Sequence, residues 1–346
     1  MITIRDIAEA TGLSTATVSM VLNKAGRRIP PVTQRLVQDT ALKLGYFPNL
    51  QARSLRSNRT NSIGVLVFDI TDPYCGLVIR GIENALEAGG YMSVLADLQN
   101  NPKRLHRCLQ MLVGRRVEGI IAIANPLRLS AELTVALRQF KIPGVVIGSQ
   151  SESHRYSSVT INNASGTRAA VEHLHSLGHR RIAVIKGPKS MTDSAPRWQG
   201  IRDRARRLGV PIDRSLVAEI RGSNSSYKEG YQLTQKLILS GKPFSGLITF
   251  DDLTAFAAIG ALTSAGRRVP EDCSVVGFDD IPGAAFYNPP LTTVCQHLEE
   301  QGLLSAEIIQ KQLSSSGAKN RNKTHDQIEP DLIIRKSTAC ALDKYL

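Results

Sequence analysis

The first sixty residues set apolar side chains at helical spacing, and near residue 61 the rhythm changes to short apolar runs alternating with amphipathic ones. Ile7, Ala8 and Thr11 share one face, with Thr3 as N-cap and Asp6 three residues on completing a weak capping box. Gly12 permits a tight turn, Ser14 caps a second helix, and Val18, Val21 and Leu22 form its inner face. A third helix is expected over 32–44, packed through Leu36, Val37, Ala41 and Leu44 and ended by Gly45. Two short helices joined by a turn and backed by a third make a helix-turn-helix, which places its second helix in a DNA major groove. Pro48 then forces an extended step. Asn49 can cap a basic helix of about two turns, too short to persist alone in water and therefore a candidate for folding on binding.

Beyond residue 61, strands are expected at 63–68, 92–96, 119–124, 144–147, 182–185, 217–220, 247–250 and 274–278. Helices are expected at 77–88, 104–113, 131–140, 166–177, 198–208, 227–239, 253–265 and 301–313, and a polar loop over 314–326. Repeated strand–helix alternation builds parallel sheets covered by helices, and this many strands suggests two sheets. The fold class is therefore α/β, an all-α helix-turn-helix head followed by two doubly wound parallel-sheet sub-domains. Ligands in such folds sit beyond the carboxyl ends of strands. That rule brings residues 69–74, Asn125, Ser149, residues 187–197, Asp251-Asp252 and Asp279-Asp280 into view.

The chain's net charge is +13, and residues 1–60 hold nine basic side chains against three acidic ones. On a helix-turn-helix, that excess is what phosphate neutralisation requires. The five cysteines are scattered without a C-x-x-C pair, which fits a reducing cytosol and argues against a disulfide framework or a zinc site. No apolar run approaches the ~20 residues of a bilayer span, and the N-terminus reads directly into a helix without a leader. A cytoplasmic protein without membrane contact is expected. The acidic pairs Asp251-Asp252 and Asp279-Asp280 could hold magnesium in an enzyme. No P-loop or G-x-S-x-G elbow accompanies them, and His175 follows His173 at i+2, off its helix face. A solute-binding protein would not need the basic head. A DNA-binding regulator without cofactor or metal is the expectation.

The motifs carry a resemblance over almost the whole chain. T-I-x-D-I-A-x-x-x-G-x-S-x-x-T-V-S-x-V-L-N at 3–23 and L-G-Y-x-P-N-x-x-A-R-x-L at 44–55 resemble the LacI–GalR (lac/gal repressor) family. So do D-P-Y at 72–74, G-I-E at 81–83, H-L-x-x-L-G-H-R-R-I-A at 173–183, S-V-V-G-F-D-D at 274–280 and P-P-L-T-T-V at 289–294. The resemblance implies a repressor that binds a pseudo-palindromic operator as a homodimer, with a core like that of periplasmic binding proteins. It implies a head over 1–47, a hinge helix and linker over 48–60, and an effector-binding and dimerisation core over 61–340. Within the core, the N-terminal sub-domain spans about 61–160 and 295–323, and the C-terminal one about 161–291 and 327–340. The short tail after residue 340 leaves no room for a tetramerisation helix, so a dimer is expected.

On DNA, the resemblance places Thr15, Ala16 and Met20 at base edges. Ala16 and Met20 offer only apolar contact, to thymine methyls, and Met20 could equally rest on the helix surface. Thr17 and Ser19 face phosphates, which position without specifying. Thr3, Ser14, Asn23, Thr33 and Tyr46 complete the head's contacts. Leu55 matches a leucine that wedges between base pairs in the minor groove, accompanied by Asn49, Ala52 and Arg53. Where the family has a hydroxyl cap on the third helix, this chain has Ile29-Pro30-Pro31, leaving Arg27, Arg28 and Thr33 to compensate.

For the effector, the resemblance implies Arg197 and Asp279, a donating fork and an accepting carboxylate that bracket adjacent hydroxyls. Asp72, Tyr74, Asn125, Asp193, Ser225 and Asp251 join them, and Gln296 contacts either ligand or hinge. Family members commonly stack an aromatic residue from the loop near 224–226, where this chain has Asn224-Ser225-Ser226. A small polar effector is expected, carbohydrate-derived. The alternative is control by a protein co-regulator.

Overall fold

The computed structural model describes residues 2–23, 29–47, 59–123, 133, 135, 137, 139–140, 142–148, 156–210, 212–222, 227–314 and 323–342. The chain divides into two units, Met1–Thr60 and Asn61–Leu346.

The first unit contains α1 (Ile4–Thr11), α2 (Thr15–Leu22) and α3 (Pro31–Lys43). Thr3 and Asp6 form a reciprocal capping box on α1, and the Ser14 hydroxyl accepts the Thr17 N–H at 3.0 Å to start α2. Between them Gly12 sits at φ +66°, a left-handed backbone that costs glycine little. Ile7, Ala8, Val18, Val21, Val37 and Ala41 form the core of this unit. The stripe expected on α3 is narrower than its pattern suggested. Val37 and Ala41 are buried, but Leu36 is 46% exposed and Leu44 38%. Leu36 is turned about 100° from Val37, off the face that meets α1 and α2, and Leu44 is already the C-cap. Pro30 caps α3 with no side-chain hydrogen bond, as its missing hydroxyl dictates.

The second unit carries two six-stranded sheets. The first contains β1 (Ser62–Val67), β2 (Met92–Asp97), β3 (Gly119–Ile123), β4 (Gly144–Ile147), β5 (Ser157–Ile161) and β11 (His325–Ile328), in the order β11-β5-β4-β3-β1-β2, all parallel. The second contains β6 (Ile182–Lys186), β7 (Val217–Glu219), β8 (Gly246–Ile248), β9 (Ser274–Asp279), β10 (Thr292–Cys295) and β12 (Asp331–Ile333), in the order β12-β10-β9-β8-β6-β7. Only β12 runs antiparallel, against β10. The central strands are buried throughout, as sheets covered on both faces require.

Helices α4 (Pro73–Ala88), α5 (Leu105–Gly114) and α11 (Leu298–Ser314) belong to the first lobe. The second lobe holds α6 (Asn163–Ser176), α7 (Ser194–Arg207), α8 (Tyr227–Leu239), α9 (Asp252–Ser264) and the single turn α10 (Gly283–Phe286). Helices α4 and α11 cross with backbones nearly touching. A Cβ added at Gly81 would overlap the Glu299 carbonyl oxygen, and one at Gly302 would overlap that of Val78.

The chain passes between lobes three times, after β5, after β10 and between β11 and β12. The first sheet thus keeps the strand His325–Ile328, and the return to the second lobe follows Ile328 instead of starting near 327. The two ladders run into one another here. The β5–β11 pairing ends at Ile161↔Ile328, and the β10–β12 pairing begins at Cys295↔Asp331. Asn162 ties the passages together, its side-chain amide donating to Glu329 at 2.8 Å.

Candidate functional site

Arg197 is the centre of a buried polar cluster beyond the carboxyl ends of β8 and β9, a cluster that Asp72 and Tyr74 of the first lobe join electrostatically and that forms the candidate cleft. It projects from the first turn of α7, and only 4% of it is exposed. Its Nη2 pairs with Asp193 at 2.7 Å, its Nη1 donates to the Phe250 carbonyl at 2.6 Å, and its Nε donates to Asn163 at 2.8 Å. The guanidinium also lies 3.7 Å from the Phe278 ring centroid and 4.7 Å from that of Phe250. A buried planar cation held on all sides in this way is a fixed donor and not a swinging arm.

Asp193 pairs with it, and Asp279 senses both its charge and those of Asp251 and Asp72. Asp193 precedes α7 and is buried. Asp251, also buried, caps α9 by accepting the Thr254 N–H at 2.8 Å. Asp279 ends β9 at φ +124°, an uncommon conformation for a residue with a Cβ, and its carboxylate accepts from the side-chain amide of Gln296. Asp72, from the first lobe, caps α4 through the Tyr74 N–H at 3.0 Å. These groups sense one another. Burial pushes the Asp279 carboxyl well above the usual range; Arg197 opposes this, while Asp251, Asp252 and Asp72 add to it. Burial raises Asp72 to about 6, resisted by the Tyr74 N–H and reinforced by Asp251 and Asp69. Tyr74, buried in the first turn of α4, has its phenol pushed up by burial and then by Asp279.

The structure therefore brings Asp72, Tyr74, Asp193, Arg197, Asp251, Asp279 and Gln296 to one place. Gln296 lies on the second lobe-to-lobe passage, and its carbonyl accepts from the Gln301 side chain at 2.7 Å, so it serves the passage as well as Asp279. Sequence reasoning missed Asn163, the Phe250 carbonyl and the Phe278 ring as partners of Arg197. Asp252, which the sequence placed beyond a strand end, has a buried carboxyl that rises to about 8 while it accepts from Thr293 and the Ile281 N–H. Asn163 follows a strand too polar to stand out, and Phe250 acts through its backbone, which sequence patterns do not mark. Asn125 and Ser225 lie outside the described residues.

In the head, Thr15, Ala16 and Met20 are exposed on α2, opposite Val18 and Val21, with Met20 45% exposed. Asn23 reaches back along the same helix to the Ser19 carbonyl at 2.8 Å, and the Thr17 hydroxyl bonds that of Ser14 at 2.8 Å. Thr33 is half-buried near the start of α3, and half-buried Tyr46 packs on the head's core. Asn49, Ala52, Arg53 and Leu55 lie outside the described residues, as do Arg27 and Arg28. Among the described residues, no helix is long and apolar enough to cross a membrane.

A three-helix helix-turn-helix unit followed by a two-lobed α/β unit is the architecture of a DNA-binding regulator. The profile of the lacI family of bacterial regulatory proteins matches residues 3–49, and that of the periplasmic binding protein-like domain matches residues 171–338. The chain is 32% identical over 340 residues to the HTH-type transcriptional repressor PurR of Histophilus somni (strain 129Pt), covering 97% of this chain and 99% of that one. The lac repressor dimer bound to operator and the anti-inducer ONPF superposes with a TM-score of 0.83 at 25% identity, covering 98% of this chain and 99% of that one. The regulator CelR in complex with cellobiose gives 0.73 at 28% identity, over 97% and 100%. The chain belongs to the LacI family; it is a DNA-binding transcriptional regulator and not an enzyme.

Proposed function

We propose that this protein is a cytoplasmic repressor that binds a pseudo-palindromic operator as a homodimer and releases or tightens it in response to a neutral, polyhydroxylated effector in the cleft. The observation that carries the effector class is the charge count at the cleft. Asp193 and Asp279 face one guanidinium, Asp279 also senses Asp251 and Asp72, and each of the three guanidinium nitrogens already has a protein acceptor. An anionic ligand would meet net negative charge, whereas hydroxyl groups can donate to the carboxylates' remaining lone pairs. The cellobiose held by the CelR neighbour is a neutral molecule of that class. Calorimetry on the full-length protein should find binding among neutral mono- and disaccharides and none among their phosphate esters. A phosphorylated sugar binding more tightly than its parent would sink the assignment.

Two features support the DNA half. The exposed face of α2 carries Thr15, Ala16 and Met20, and the operator-bound lac repressor dimer shares the architecture of the whole chain. Dimerisation is supported by the operator-bound lac repressor dimer, whose architecture spans 98% of this chain. Enrichment from a random duplex library should return a two-fold-related sequence. Leu55→Ala should weaken that specific binding while salt-dependent non-specific binding persists; equal loss of both counts against a wedge.

A further inference from the structure

Away from the cleft, the second lobe holds a cavity of about 870 Å³ between α7, the sheet edge at β7 and the segment following α7. That size falls within the range of small-ligand sites. Its apolar surface comes from Trp198, Ala205, Val210, Ile212 and Val217, and its rim carries four basic side chains against two acidic ones. Two of the four are matched: Lys186 pairs with Glu219 at 2.7 Å, and Arg206 lies 3.4 Å from Asp203. The other two are not. Among the described residues, Arg202 has the Trp198 ring as its only charge or ring partner, at 5.9 Å from the centroid, and Arg214 makes no side-chain hydrogen bond or ion pair. Lys186 stands 5.2 Å from the same indole.

A partly apolar hollow of ligand size with an indole in its wall and, among the described residues, two uncommitted guanidinium groups is poorly explained as ordinary surface. A solvated charged face has no need of concavity, and a packing defect has no need of cations. We infer that this cavity is a second ligand site, for an organic anion that lays an apolar or aromatic body against Trp198 and presents a phosphate or carboxylate to Arg202 and Arg214. Both anions accept the guanidinium fork, so the chemistry is shared. The site is the electrostatic opposite of the cleft, which repels anions. The two are built on one helix. Asp193 and Arg197 flank the start of α7 toward the cleft, while Trp198, Arg202, Ala205 and Arg206 line the outer cavity from the same helix. An occupant of the outer cavity therefore bears on the element that positions Arg197.

Trp198 is the chain's single tryptophan, so its emission reports this site without labelling. The full-length protein is titrated with phenyl phosphate and with benzoate, against phenol and inorganic phosphate as controls. The expected result is a saturable emission change with one or both aromatic anions and none with either control at the same concentration. The tighter of the two identifies the anion. The double variant Arg202→Ala/Arg214→Ala should weaken binding by about tenfold or more, with an unchanged far-ultraviolet circular dichroism spectrum because both side chains are exposed. No saturable change, an equal response to phenol or to inorganic phosphate, or full affinity in the double variant would each overturn the proposal.

Discussion

Replacing Arg197 with alanine tests whether the cleft's cation serves the fold or the ligand. The guanidinium pairs with a carboxylate that is only 2% exposed, so its removal strands Asp193 as a buried charge and leaves the Phe250 carbonyl short of a donor. Breaking a buried pair from one side costs about 3–5 kcal/mol. For a unit of this size, about 2–4 °C of melting temperature is lost per kcal/mol, so a fall of roughly 6–20 °C is expected by calorimetry. The double variant Asp193→Asn/Arg197→Met removes both charges and should recover most of that loss, because the penalty lies in the unpaired charge. Effector response, read as the change in operator affinity, should be absent in both variants. Melting temperatures that fall equally in the single and double variants would refute the buried-pair argument. A single variant that responds fully to effector would refute the placement of the ligand.

Three further outcomes follow from the packing. Gly81→Ala forces α4 away from the Glu299 carbonyl and should cost at least about 1–3 kcal/mol in urea unfolding; an unchanged midpoint would mean the helices can slide apart freely. Ser14→Ala removes the hydroxyl that caps α2 and should lower the head's stability by about 1 kcal/mol, seen as earlier loss of helical signal with operator affinity reduced in step. His179 is buried among Ser245, Ser274 and the Ala339 carbonyl, and burial lowers its pKa. The folded state therefore binds this proton less readily than the unfolded chain. Stability from this group is present above the unfolded value of about 6.5 and is lost as pH falls below it. His179→Asn should flatten that slope in melts between roughly pH 7 and pH 5; an unaltered slope would assign the acid sensitivity elsewhere.

Much of the site was legible because its residues follow strand ends or open helices, positions that punctuation residues mark. Asp72, Asp251 and Ser14 are caps as well as functional candidates, so local chain chemistry and site chemistry point to the same residues. The strands that escaped notice share a different trait. β5 reads Ser-Ser-Val-Thr-Ile, yet it is wholly buried, because its hydroxyls are satisfied sideways. Gln312 donates to Ser157 at 2.7 Å, the Ser158 hydroxyl bonds His325 at 2.9 Å, and Thr160 donates to the Asp326 carbonyl at 3.3 Å. These partners lie more than 150 residues away, beyond the reach of any local pattern. β10 hides its two threonine hydroxyls in the same manner, against Asp252, Thr338 and the Arg335 N–H. β11 and β12 are edge strands with charged, partly exposed residues, the composition of a loop.

The merging of the two ladders at the lobe junction governs how the core can deform. Three backbone segments lying side by side and cross-linked by Asn162 and Glu329 resist stretching and shear along their plane, but they fold readily across it. Motion of one lobe on the other is thereby reduced to something close to a single angle. For the effector proposed above, the degree of opening is then the one quantity left to set, so chemically different occupants that stop the swing at the same point would be indistinguishable downstream.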